Sequence, residues 1–380
     1  MKKILTYMTM VAAMLLASCT EDAEQDKQMV KVELAPCVPS YIEEEMLTRG
    51  WIPPSGYKPY NELNGMFDGQ TNLVNSDISI FFTRNNETPE AGRFSLGSDG
   101  KWHSTVIING GIYYLYGFIP KMDRVTASIS SSSTPNDNSS YSQGSVLSIN
   151  GLSSVTPTDV CVVVGASNGA DDYKENEDYT VSRLKTGCFE YAASGNSNFV
   201  YLLFDHLYSA MRFKINVDEA YNELRTIKLK ELKLVSYNGN NPVKEKVNVI
   251  ITLTGRNDGN SPITNVTYEY DNNSGDVQGT IFQSEEGLVL TTTGQNFRGS
   301  FVPLGVTKFK LISTYDVYDK KGNRVRKDCT AENMLEISQL FENFTNAQRG
   351  QIFNLSLSVI PTYLYMLSDP DLDNPTITIN

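Results

Sequence analysis

The apolar and polar positions of this chain predict strand after strand. Val30, Val32 and Leu34 alternate with other residues, and a period of two places them on one face of a sheet. Residues 78–82 predict a second strand. Residues 105–108 and 112–118 flank Asn109-Gly110-Gly111, a hairpin signal because Asn and Gly tolerate the positive φ of a tight turn. Residues 160–164 are apolar throughout, as in a strand buried on both faces. Further strands are predicted over 199–204, 210–217, 227–235, 247–253, 288–292, 299–302, 309–318 and 352–359. Helical spacing is confined to residues 218–224 and 331–341. Many short antiparallel strands and few helices predict an all-β chain, with two β-sandwich domains in tandem. The run from Ala192 to Asn198 reads as the linker, giving domains over 28–195 and 196–380.

The first residues read as an export signal. Lys2 and Lys3 precede an apolar stretch, residues 4–16, that is too short to span a bilayer as a helix. It ends in Leu16-Ala17-Ser18-Cys19, which resembles a bacterial lipobox. Residues 1–19 are then a lipoprotein signal, and the Cys19 thiol carries acyl chains such as palmitate. Each buried CH₂ contributes roughly 0.8 kcal/mol, so several chains anchor a protein in the outer membrane without a transmembrane helix. Residues 20–27 are polar and mainly acidic and read as a tether. They also resemble the acidic tags of surface-exported lipoproteins in Bacteroides-type bacteria.

Charge and composition narrow the partners. A net charge of −12 with no basic stripe argues against nucleic acid and anionic membrane surfaces. The 21 Tyr and 16 Phe suit strands. Cys37, Cys161, Cys188 and Cys329 have no metal spacing, nor do His103 and His206, so neither metal nor cofactor is expected. Gly165-Ala166-Ser167-Asn168-Gly169 matches the G-x-S-x-G of a nucleophile elbow, but polar residues follow where an elbow needs a helix. Asp369-Pro370-Asp371-Leu372-Asp373-Asn374 begins like a calcium loop, yet Asn374 and Asn380 stand where Gly and Glu are required. No catalytic residue is therefore assigned. Trp51 and Trp102 are candidate sugar platforms, which keeps a surface glycan-binding lipoprotein as the alternative reading.

Several segments together resemble the fimbrillin family of Bacteroides-type bacteria. They are Gly100-Lys101-Trp102, the aromatic run from Tyr113 to Pro120, Phe204-Asp205-His206, Gly350-Gln351-Ile352-Phe353, and the tail from Pro361 to Pro375. The resemblance implies two transthyretin-like sandwiches and assembly into pili from lipoprotein precursors. A trypsin-like, Arg-specific protease would cut between Arg49 and Gly50. That cut removes the lipid and the strand holding Val30, Val32 and Leu34. The vacated groove would accept a donor strand from another subunit, giving a head-to-tail polymer that meets host surface ligands. The donor is expected in the tail, residues 361–380, with Tyr363, Tyr365 and Leu367, then Ile377 and Ile379, as its strand-forming anchors. A tail folded back on its own domain is the competing expectation. The exchange is plausible physics, because a strandless edge presents unpaired N–H and C=O groups beside an apolar slot.

Overall fold

The computed structural model describes residues 29–43, 58–59, 77–83, 90–99, 101–130, 146–156, 158–168, 190–193, 199–252, 265–276, 278–341, 344–360 and 376–379. In chain order these form β1 (Met29–Lys31), β2 (Glu33–Val38), β3 (Ile42–Glu43), β4 (Lys58–Pro59), β5 (Asp77–Thr83), β6 (Glu90–Leu96), β7 (Trp102–His103), β8 (Ile107–Asn109) and β9 (Gly111–Ile119). Next are β10 (Thr126–Ser130), β11 (Val146–Ser153), β12 (Cys161–Asn168), β13 (Glu190–Ala193), β14 (Phe199–His206) and β15 (Ser209–Val217). Helix α1 (Glu219–Leu224) leads into β16 (Arg225–Asn238), β17 (Asn241–Pro242), β18 (Lys246–Thr252), β19 (Asn265–Tyr270), β20 (Gly279–Val289), β21 (Gln295–Val302), β22 (Lys308–Asp319) and β23 (Arg324–Glu336). Helix α2 (Ile337–Leu340), β24 (Gln351–Ile360) and β25 (Thr376–Ile379) close the series. The chain is all-β, and no helix among the described residues is long and apolar enough to cross a membrane.

Two clusters of buried side chains organise these strands. The first draws on the sheet β4-β2-β14-β12-β9-β5-β6-β7 and on the sheet β10-β11-β18-β19, so those two sheets pack face to face. The second lies between the sheet β21-β15-β24-β25 and the sheet built on β17-β16-β22-β23. The chain passes from the first cluster to the second between Ala210 and Met211. The hairpin β18–β19 returns from the second half to pair with β11, carrying Val247, Val249 and Ile251 into the first cluster. Of the expected linker, residues 192–198, Ala192 and Ala193 are instead the end of β13 and pair with β9, and 194–198 lie outside the described residues.

Several local expectations hold for visible reasons. Val160, Cys161, Val162, Val163 and Val164 are all buried, as a two-sided strand requires. Asp218 caps α1 by accepting from the Tyr221 N–H at 3.1 Å. In the β22–β23 turn, Asp319 Oδ1 accepts from the backbone of Lys321 and Asn323, and Gly322 takes φ of 85°. Two expectations are corrected. Residues 331–336 are strand rather than helix, because each pairs with β22 and only residues 337–340 coil. Tertiary pairing overrides a helical spacing that short. Asn109-Gly110-Gly111 is a corner rather than a hairpin, since β8 pairs with β1 and β9 pairs with β5, β12 and β13.

The approach of β9 to β5 is close enough to test. A Cβ placed on Gly117 would lie 2.1 Å from the Ser79 carbonyl oxygen. Gly117→Ala must push the two strands apart, so we expect a loss of about 1–3 kcal/mol. Urea denaturation would read it as a lower midpoint at an unchanged slope.

Candidate functional site

The expected displaced strand is two short strands on two different sheets. Val30 sits on β1 opposite Ile108 of β8. Val32 is the crossover, its N–H donating to the Val106 carbonyl at 3.2 Å. Leu34 sits on β2 opposite Val200 of β14, in a parallel pairing that continues to Cys37 opposite Leu203. The three are 3%, 1% and 4% exposed, so all face the interior. Burial continues past Leu34 through Cys37, Val38 and Tyr41. The segment 29–43 thus reaches β8, β14, β4 and, through β3, the start of β24.

Strand β24 brings the two ends of the chain to one edge. β15 pairs along one side of it, from Ile352 to Val359. The other side is taken by β3 at Gln351 and Ile352 and by β25 at residues 357–360. In β25, Ile377 lies opposite Val359 and Ile379 opposite Leu357, so here the tail lies back on its own domain. Cys19, Arg49, Gly50, Trp51, Tyr363, Tyr365 and Leu367 lie outside the described residues.

The segment ends on a buried polar cluster. His206, at the end of β14, is opposite Cys161 of β12 in the ladder. Its Nδ1 lies 2.9 Å from Asp159 Oδ2 and 3.5 Å from Cys161 Sγ, and its Nε2 lies 2.9 Å from the Pro39 carbonyl oxygen. The Tyr41 ring stacks on the imidazole at 3.7 Å and 24°. Beside it, Asp205 Oδ1 accepts from the His206 N–H at 2.8 Å, and Oδ2 lies 3.3 Å from Arg349 Nη2. Burial pushes the His206 pKa down, but the Asp159 charge and hydrogen bond, with Asp205 and the Pro39 carbonyl, outweigh it and leave the pKa raised. Burial, with Asp159 adding, pushes the Cys161 thiol well up, so it stays neutral. The Asp159, Cys161 and His206 atoms lie within 4.8 Å of one another. The 2.9 Å nitrogen–oxygen contact is a hydrogen bond, and it becomes an ion pair when the ring is protonated. Sequence spacing missed this cluster, because only the β12–β14 register joins its members.

The residues considered for other chemistry are placed differently. Strand β12 runs on through Ser167, which pairs with Tyr201, so no strand-to-helix elbow presents this serine. Trp102, on β7, is half-buried and packs against the first cluster.

No protein-family model matches the chain, and no curated protein matches it. Solved structures are similar at low identity. A fimbrial protein from Bacteroides vulgatus is 12% identical, with 92% of this chain and 98% of that one covered and a TM-score of 0.40. A chain assigned to cell adhesion from Bacteroides uniformis is 8% identical, with 93% and 97% covered and a TM-score of 0.41. Another, from Bacteroides fragilis, is 11% identical, with 92% and 97% covered and a TM-score of 0.40.

Segment 29–43 is held by apolar burial. Fully burying a Val or Leu contributes roughly 1.5–3 kcal/mol, so Val30, Val32, Leu34, Val38 and Tyr41 together supply on the order of 10 kcal/mol. Leu34→Ala should cost about 2–5 kcal/mol of stability, whereas Glu33→Ala, at an exposed position, should stay within about 0.5 kcal/mol. Chemical denaturation of the two variants side by side checks the contrast.

Proposed function

We propose that the chain is a structural pilus subunit, exported as a lipoprotein and assembled by protease-activated strand exchange, with adhesion at the cell surface as its task. One observation carries the reading. Residues 29–43 cover the edges of β8 and β14 and the start of the β24 edge, while the C-terminal strand β25 lies on the same side of β24. Loss of the first piece opens backbone groups and an apolar slot, and an extended strand satisfies both at once. The tail of a second copy has the strand-forming residues to do so. Because each subunit would accept one tail and donate another, the contact is head-to-tail and the product an open filament. The lipobox at Cys19 gives the precursor its outer-membrane anchor, and Arg49 gives an Arg-specific protease its cut. Catalysis has no part in this reading, since Ser167 is held within a strand. Trp102 is half-buried against the first cluster, which favours a packing role over a sugar platform.

The experiment is direct. Trypsin treatment of the secreted precursor should yield filaments visible by negative-stain electron microscopy. Arg49→Ala should stay monomeric under the same treatment. A truncation after Val359 should fold, be cut, and fail to assemble; filaments from it would show that the tail is not the donor.

A further inference from the structure

His206 is buried where the N-terminal segment ends, and strand exchange as set out above gives it no task. The nearest partner of each ring nitrogen is an oxygen, the Pro39 carbonyl or the Asp159 carboxylate, each at 2.9 Å; the Cys161 thiol, 3.5 Å from Nδ1, is the one weak donor in reach. The Pro39 carbonyl has no proton to give, and an ionised Asp159 carboxylate only accepts. The arrangement therefore calls for a hydrogen on each nitrogen, which is the imidazolium. Charge agrees. Asp159 and Asp205 bring two negative charges, and His206 with Arg349 brings two positive ones, so the cluster is neutral only when the ring is protonated. Cys161, the remaining titratable group facing the ring, stays a thiol. The stacked Tyr41 ring presents its π-face to the cation.

We propose that His206 is a positioning residue for the N-terminal segment: its doubly protonated ring grips the Pro39 carbonyl and carries the Tyr41 ring, so that loss of one proton loosens residues 39–43 and uncovers the start of the β24 edge. This inference deepens the strand-exchange reading by giving the departing segment a proton-controlled latch. A neutral ring in the docked state leaves one nitrogen lone pair aimed at an accepting oxygen, which is costly at a buried site. Once the segment lifts, water can donate to that nitrogen, so the neutral ring favours release. The ring titrates above the ordinary histidine value of 6.5 while docked. The latch is thus fully present below 6.5 and is lost as pH rises through the raised value.

The uncut chain tests this, so a failure of cleavage or of filament formation leaves the readout unchanged. Nitrogen-15 NMR of the imidazoles is tractable because the chain has 2 histidines, and His103→Gln leaves His206 as the one ring observed. Two protonated nitrogens are expected at pH 6.5, with a midpoint above it. Amide exchange of residues 39–43, corrected for the intrinsic effect of pH, should show opening that rises up to about tenfold per pH unit beyond that midpoint, the slope for one proton. Asp159→Asn keeps an accepting oxygen without the charge and should move the midpoint down. His206→Gln should remove the pH dependence; if that variant does not fold, the Asp159→Asn shift decides. A singly protonated ring at pH 6.5, pH-independent opening, the same dependence in His206→Gln, or a midpoint unmoved by Asp159→Asn would each overturn the proposal.

Discussion

The edges of its sheets constrain this molecule more than its cores do. Every edge carries backbone donors and acceptors beside apolar side chains, and burial without a partner is costly. Residues 29–43 meet that cost for three strands at once: β8, β14 and the first residues of β24. The segment does so by changing sheets at Val32, which is why one short stretch can bind two layers together. The tail meets the same need at the far end of β24. β1, β3 and β25 are thus edge covers, which can leave without cutting a sheet in two, whereas β2 carries the two-residue β4 on its outer side, so its departure would detach β4 alone.

The junction between the two cores makes that cover matter to the whole molecule. β14 and β15 are nearly continuous, separated by the buried pair Leu207 and Tyr208. The Leu207 N–H donates to Val160, the Tyr208 hydroxyl donates to Ser153, and the Gly350 N–H donates to Tyr208. Thr156 and Phe301 bridge the same region in both directions. The cluster around His206 stands at this joint, with Asp159 just before β12, Arg349 just before β24, and Pro39 and Tyr41 from the N-terminal segment. Side chains from both halves therefore hold a charge balance on which the segment's last contacts depend.

The fold was legible where periodicity was strong and illegible where the third dimension decided. Phe353, Leu355, Leu357 and Val359 alternate in the sequence and are buried in β24. The two-sided strand at 160–164 declared itself by composition. Residues 331–336 did not, since the pairing with β22 is absent from any local window. The alternation that signals the N-terminal strand stops at Leu34, since Ala35, Cys37 and Val38 are not spaced by polar residues. They are buried all the same, because β2 lies between β14 and β4. The polar cluster left no trace in the spacing of its residues. Asp159 and His206 are 47 positions apart, and a lone His in a Phe-Asp-His run signals nothing until Pro39 closes over it.

The position of the latch within the segment has a physical consequence. The apolar anchors Val30, Val32, Leu34 and Val38 hold by burial, which pH does not change and which acts over the whole length. The contacts of Pro39 and Tyr41 hold by charge and by a hydrogen bond, and they lie nearest in sequence to Arg49. A strand removed from a sheet frays from a free end, and in the proposed scheme a cut after Arg49 would create that end on the latch's side of the segment in sequence. Among the described residues, 39–43 are then the first to lift. Their loosening uncovers Gln351 and Ile352 before any aliphatic anchor has moved. An incoming strand could pair there while β1 and β2 are still seated, so replacement can proceed one contact at a time. The full burial of the segment need never be exposed to water at once, and a barrier on the order of 10 kcal/mol of apolar contact becomes a series of small exchanges.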